Sequence, residues 1–469
     1  LIPQNIDRRI LPNDIARLSV ELPVVKDCRD EDYVVMEVNK AMLELRRNGG
    51  GPVHINLITT YSRDFSVKEL PHVKVMRRFQ AWDELPVLPE GRIGIYVGSH
   101  THFSEKQNRA IDRFCATYDA VVICDHTSGY YGKYKLLPTL VQLQSDITSP
   151  FPPLDLMVHI GEISAASFND TIPAKEVWRV SEDGELRDPF KKLTTVFQMS
   201  EEMFFLHYGK DGCNRHVLID ECRELFGEIY EQIPELPFCN IWTAMQLSSR
   251  LPKGALFHMG VSNTRRCWNM FQLPESVESA CNVGCCGIDG CVSTLVGASL
   301  VNPDRLCYVV VGDLTFFYDL NSLGNHHIGT NLRVMLVNNG RGTEFRLGIH
   351  HCNVFGDDAD KYMAAAGHFG NKSPLLVKHY AEDLGFHYLS ATTKEEFMTA
   401  LSNFTNPQLS DHSMILEVFT DSKDESEALY LMSHIQSDAK GMVRSKLKDA
   451  VRNVAGEKGI NAIKKILKK

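Results

Sequence analysis

Three observations predict an α/β protein built from consecutive doubly wound parallel sheets. Apolar strands alternate with helical stretches, the later strands are nearly unbroken in apolar residues, and no apolar run approaches the roughly 18 residues that would span a bilayer. The chain has 469 residues, which at about 150 residues per domain suggests roughly three domains. Hydrophobic residues make up 43% and charged residues 23%, a balance that excludes a disordered or low-complexity chain.

The elements follow in order. From Asp30 to Arg47, Val34, Val38, Met42 and Leu45 recur on one face of a helix, which Asn48, Gly49 and Gly50 stop. The strand-like GPVHINL (Gly51 to Leu57) comes next, followed by the polar ITTYSRDFSVKELP, which has no period and opens a linker. A second unit begins at Arg92, with strands at Ile93 to Val97, AVVIC (Ala120 to Cys124), LDLMVHIG (Leu154 to Gly161) and VWRV (Val177 to Val180). SEDGELRDPF (Ser181 to Phe190) reads as a loop, and Val217 to Ile233 as a connecting helix. The third unit holds the strands ALFHMG, SVESAC, CYVVVGD, LRVMLVNNG and SMILEVF. The expected divisions are residues 1–75, 76–235 and 236–438, with a tail at 439–469.

The net charge of −9 is unevenly spread. Residues 440–469 carry ten Lys or Arg against Asp449 and Glu457, a balance of +8 that leaves −17 for the rest. An acidic body argues against nucleic acid as partner. In the tail, Val443, Leu447, Val451 and Val454 share one helical face. That basic amphipathic helix is expected to pack on the acidic body, with an anionic membrane as the alternative. Thirteen cysteines without a secretory signal read as thiols in a reducing cytoplasm. The start at Leu1 rather than Met suggests an N-terminally truncated chain.

In parallel sheets ligands sit at the carboxyl ends of strands, so the chemistry is sought at Gly260, Asn282, Gly312 and Asn338. VVVGDLTFFYDL followed by LRVMLVNNGRGTEF delivers Asp313 and Asn339 to one rim, one helix and one strand apart. A carboxylate, an amide oxygen and a nearby main-chain carbonyl are hard ligands suited to Mg²⁺ that also takes phosphate oxygens. Backbone N–H groups around Gly312 and Gly340 can receive the phosphates. The alternative is an Asp that caps a helix and two Asn that turn a loop.

GDL at Gly312 to Leu314, with NN at Asn338 and Asn339, resembles the metal and diphosphate signature of thiamine-diphosphate-dependent enzymes. GPVHINL resembles the end of the pyrimidine-binding domain of the group that contains pyruvate decarboxylase and acetolactate synthase. MGVSNTRRCWNMF, CNVGCCGIDGCVST and GDLTFFYDLNSL are most similar to the menaquinone-pathway branch that makes 2-succinyl-5-enolpyruvyl-6-hydroxy-3-cyclohexene-1-carboxylate. The motif order runs from about Asp30 to about Asp424.

This resemblance implies the thiamine-diphosphate-binding fold with its N-terminal domain incomplete. It also implies two cofactors, thiamine diphosphate and Mg²⁺, held in a homodimer or homotetramer. The expected metal ligands are Asp313, the side chain of Asn339 and the main-chain oxygen of Arg341. Gly312, Leu314, Thr315 and Gly342 would line the diphosphate. Gly287 and Ile288, in GIDG, would lie under the thiazolium, Phe345 would flank the reacting carbon, and Ser262 and Arg266 would hold acidic substrate. The implied reaction is decarboxylation of a 2-oxo acid with carboligation to an acceptor. The alternatives are simple decarboxylation, an acetolactate-synthase-like reaction, and a non-catalytic cofactor-binding paralogue.

Two departures stand out. Val283 replaces an Arg of the synthase branch, and Arg341 replaces a Gly, with Glu344 and Arg346 flanking Phe345. Arg346 is the candidate to replace the lost cation. The family's activating Glu, upstream of GPVHINL, has no counterpart in the chain. Cys281, Cys285, Cys286 and Cys291 lack the paired spacing of a zinc site and read as core. No dinucleotide or Walker motif appears. His326 with His327 reads as a polar face of the helix after GDL. His350 with His351 lies in a loop that could cover the pocket, and His54 reads as structural.

Overall fold

The computed structural model describes residues 10–60, 66, 68–69, 72–147, 151–162, 172–284, 287–368 and 373–437. The basic tail, Cys285 and Cys286 lie outside them.

At the front, β1 (Leu18–Leu22) and β2 (Val53–Leu57) pair in parallel, Leu18 opposite Val53 and Leu22 opposite Leu57. The helix Cys28–Glu44 connects them. The Asp27 carboxylate caps it, accepting from the N–H groups of Arg29 and Asp30. Its Ala41 packs with Val20 and Leu22. Asn48, Gly49 and Gly50 all take positive φ, and a side chain at Gly50 would overlap the Leu45 carbonyl oxygen. The predicted stop is therefore a left-handed reversal.

The second sheet has seven strands: β3 (Arg77–Gln80), β4 (Ile93–Val97), β5 (Val121–Ile123), β6 (Lys135–Leu136), β7 (Leu154–Ile160), β8 (Ala174–Val180) and β9 (Leu193–Gln198). Their spatial order is β3-β9-β8-β7-β4-β5-β6, all parallel. The helix Glu105–Tyr118 enters through a reciprocal Ser104 and Gln107 capping box. The connecting helix is Val217–Glu231.

The third sheet comprises β10 (Leu256–Met259), β11 (Glu278–Cys281), β12 (Cys307–Gly312), β13 (Leu332–Asn338), β14 (His387–Ala391) and β15 (Met414–Phe419). The order β11-β10-β12-β13-β15-β14 is again wholly parallel. On β12, Tyr308 and Val310 join one apolar cluster, continuous with the seven-stranded unit, while Cys307, Val309 and Val311 join another on the opposite face. Both faces are dry, which is why the strand reads as unbroken apolar sequence.

The two sheets of six and seven strands bear out the α/β class of doubly wound parallel sheets. No helix among the described residues is long and apolar enough to cross a membrane.

Candidate functional site

In the third sheet the chain leaves the neighbours β10 and β12 in opposite directions, toward β11 and toward β13. That reversal opens a crevice at the carboxyl ends, where sheets of this kind bind ligands. A Cβ at Gly312 would meet nothing within 4 Å, so the rim is open there. The equivalent reversal in the second sheet is shut. Ser99 and Glu162 exchange backbone hydrogen bonds of 2.7 and 2.9 Å across it, and a Cβ at Gly98 would overlap the Glu162 carbonyl oxygen.

Gly312 pairs with Val337, so the chain reaches this rim at Asp313 on one strand and at Asn338 and Asn339 on the next. Asp313 opens the helix Asp313–Asp319 and is 2% exposed. One carboxylate oxygen accepts from the Leu314 N–H at 2.9 Å, and the other lies 2.9 Å from His368 Nε2. The Asn338 amide donates to Glu417 at 2.7 Å, and the Tyr388 hydroxyl donates to the other Glu417 oxygen at 2.8 Å. Burial pushes the Glu417 carboxyl up, the Asp313 charge adds to the rise, and the two hydrogen bonds oppose it.

The Asn339 amide oxygen is buried with no hydrogen-bond partner, as is the Thr343 hydroxyl. Leaving such an acceptor unpaired costs about 1–3 kcal/mol, so an unfilled need exists at the predicted metal position. Asp313, Asn339 and the Arg341 carbonyl, which accepts from the Thr343 N–H at 2.9 Å, make an all-oxygen set. That set fits a hard divalent cation that keeps part of its water.

Leu314, Gly342 and Phe345 converge: a Cβ at Gly342 would sit 3.2 Å from both Leu314 Cδ1 and Phe345 Cδ2. Thr315 is buried on the helix one position on. The Phe345 ring meets His350 edge to face at 5.2 Å. Gly287 and Ile288 lie half-buried in the loop after β11, before the helix Cys291–Val301. Val283 is buried in the same loop.

The two substrate cations are engaged within the chain. Arg266 forms a two-pronged pair with Glu344 at 2.9 and 2.7 Å. Burial alone would lower this guanidinium, but the Glu344 hydrogen bonds and charge raise it instead. Burial would likewise raise Glu344, and Arg266 together with the Ser262 hydroxyl holds it below the usual range. Ser262 enters the helix Asn263–Trp268 at φ 65°. Arg346 donates to the Gly356 carbonyl and lies 3.4 Å from Asp360 and 3.5 Å from Asp357. Arg341 holds both Asp360 oxygens at 2.9 Å. Glu344 and Arg346 thus add paired charges, and Asp360 is shared by two guanidinium groups.

His326 and His327 are exposed and lie beyond the turn Leu320–Gly324, not on the helix after GDL, which ends at Asp319. His54 sits on β2 with a buried ring nitrogen. His368, Glu417 and Asp360 are site residues that sequence reasoning missed. His368 and Glu417 act on partners 55 and 79 positions away, Asp360 acts on two nearby arginines, and no motif or period marks any of the three.

An open switch point that carries a buried carboxylate, an unpartnered amide oxygen and glycine backbone is the site of a parallel α/β protein suited to a metal-held anion. No family model matches the chain. Among named proteins it is 28% identical over 443 residues to the 2-succinyl-5-enolpyruvyl-6-hydroxy-3-cyclohexene-1-carboxylate synthase of Bacteroides thetaiotaomicron, covering 88% of this chain and 76% of that one. The protein of the same name from Bacteroides fragilis is 29% identical over 448 residues, with the same coverage. The one from Phocaeicola vulgatus is 28% identical over 449, covering 88% and 75%. The resemblance carried by the motifs therefore extends over nearly nine-tenths of the chain, and the chain is a relative of proteins named as enzymes.

Proposed function

We propose that this protein uses thiamine diphosphate and Mg²⁺ to decarboxylate a 2-oxo acid and join the remainder to an acceptor, as the synthase name of its relatives suggests. The observation that carries the reading is the buried, unpartnered Asn339 oxygen on the strand end beside Asp313. Asp313, Asn339 and the Arg341 carbonyl would hold the metal. Gly312, Leu314, Thr315 and Gly342 would receive the diphosphate at the start of the helix Asp313–Asp319. Bound there, the cofactor supplies a nucleophilic carbon and an electron sink for loss of CO₂. Ile288 and Phe345 present apolar surface that keeps water from the reacting atoms. Ser262 and Arg266 orient the substrate carboxylate. The same reading makes the protein a homodimer or homotetramer of the cytoplasm, and exposed Val354, Phe355 and Tyr362 near the site offer apolar surface for a second copy.

The test is a panel of 2-oxo acids with thiamine diphosphate and Mg²⁺, read by CO₂ release, product mass and calorimetric cofactor binding. Metal-dependent binding with CO₂ and a coupled product is expected. Absence of both binding and CO₂ overturns the reading, and binding without CO₂ leaves the non-catalytic paralogue.

Simple decarboxylation is the second reading, favoured by Glu344 occupying Arg266. Charge-assisted, two-pronged pairs of this kind are strong. Glu344→Gln is expected to lower KM for a dicarboxylic 2-oxo acid by roughly tenfold, the scale of one charged hydrogen bond, and to leave a monocarboxylic one unchanged. An unchanged KM for both removes Arg266 from substrate recognition.

A further inference from the structure

We propose that the cleft between the second and third sheets, away from the Gly312 rim, binds a small organic anion through Lys135. The cleft encloses about 260 Å³, just under the roughly 300–1,000 Å³ of drug-sized ligand sites, so its occupant is small. It lies where β6, the helix Val217–Glu231 and the loop ahead of β11 meet, so an occupant would touch both units.

Three cations line it, from separate elements: Lys133, Lys135 and Arg223. Among the described residues none of the three has a carboxylate within 4.0 Å. Arg266 and Arg341, by contrast, are paired with Glu344 and Asp360, while the buried Arg333 is held by main-chain carbonyls and the Ser410 hydroxyl. Arg223 donates to the Lys133 carbonyl at 2.6 Å, which fixes it at the cleft wall.

Lys135 is half-buried, with its ammonium 5.0 Å from the centre of the Tyr131 ring, and the Tyr131 hydroxyl is tied to the Val277 carbonyl at 3.1 Å. The ring is thus a fixed platform, and the ammonium above it is held in place. Burial pulls the Lys135 amine down, with Cys124, Asp125 and Glu275 opposing. After burial itself, the Lys135 charge is the largest influence lowering the His126 imidazole. Asp125 and Glu275 offset part of the Lys135 burial cost without reaching ion-pair distance, so the ammonium lacks a direct counter-charge.

Leu273, Pro274 and Val277 give the cleft an apolar side, and Glu275 is the carboxylate among its lining residues. Three cations against one carboxylate call for an anion, and the apolar side and ring call for a ligand with some hydrocarbon body. A phosphate ester and an organic carboxylate share this chemistry.

The test is calorimetric titration of the protein at low ionic strength with inorganic phosphate and, separately, with citrate. Saturable binding of either probe is expected, with tighter binding of phosphate pointing to an ester and tighter binding of citrate to a carboxylate. The double variant Lys135→Met with Arg223→Met is expected to weaken binding at least tenfold. Glu275 is exposed, so Glu275→Gln keeps the fold and is expected to tighten binding severalfold, which preserves the test should the double variant misfold. No binding of either probe to the parent protein overturns the proposal. So does binding that neither the double variant nor Glu275→Gln alters, because the anion then sits elsewhere, at the Gly312 rim included.

Discussion

Asn339→Ala is expected to lose at least ~100-fold in Mg²⁺-dependent affinity for thiamine diphosphate while melting no lower than the parent in the absence of cofactor. Loss of a partner outside the metal's own ligands costs about 10–100-fold, so removing a direct oxygen ligand costs at least the upper end. The stability half of the expectation comes from the apo fold. The Asn339 oxygen has no partner there and is buried, so deleting it relieves a penalty of about 1–3 kcal/mol rather than breaking a bond. Asn338 differs in one respect: its amide oxygen is also buried without a partner, but its NH₂ donates to Glu417 at 2.7 Å, so removing it breaks that bond whatever it does to binding. Calorimetry with and without Mg²⁺, paired with apo melting curves, reads both quantities. Affinity that does not change in Asn339→Ala rules this oxygen out as a ligand. A drop in apo melting temperature would show instead that the oxygen does hidden structural work.

Much of this arrangement was legible in the residues because it depends on local pattern. β12 and β13 are apolar on both faces and end in GD and NN, so their placement and the rim at Asp313 and Asn339 follow from the strands themselves. Other strands were hidden for identifiable reasons. β14 (HYLSA) is an edge strand with one buried residue, so little apolar pattern marks it. β6 has two residues, and β1 (LSVEL) alternates too briefly to separate from a loop. The site's partners were hidden by chain distance. His368 meets Asp313 across 55 positions, Glu417 meets Asn338 across 79, and Glu344 meets Arg266 across 78. Composition showed that charges were present, but only the fold shows which ones cancel. Arg346, the cation that looked available from sequence, faces Asp360, Asp357 and the Gly356 carbonyl.

Glu425→Gln is expected to remove a fall in stability between pH 4.5 and about 7 and to raise stability at pH 8 by roughly 3 kcal/mol. Glu425 is 1% exposed, and burial raises its carboxyl from the ordinary 4.5 to about 7. Between those values the folded protein keeps a proton that the unfolded chain releases. Its contribution is therefore fully present below pH 4.5, falls as pH climbs through about 7, and stays lost above. Two buried imidazoles act in the opposite sense. Burial lowers His126 to about 4 and His159 to about 3, so their contribution is present above the ordinary 6.5 and is lost as pH falls. Subtracting the variant's melting curve from the parent's at each pH cancels the imidazoles and isolates Glu425. Glutamine suits the position because one Glu425 oxygen accepts from both the Asn240 N–H at 3.0 Å and the Thr420 hydroxyl at 2.9 Å. The amide oxygen can keep both bonds, and the bond given up is the one that the Asn263 side chain donates to this carboxyl. These contacts join the end of β15 to the helix Asn240–Leu247 and to the segment that carries Ser262. A carboxyl held behind the rim at this energetic cost is what a site under functional constraint would retain. Equal pH profiles in parent and variant would show that Glu425 carries no such penalty.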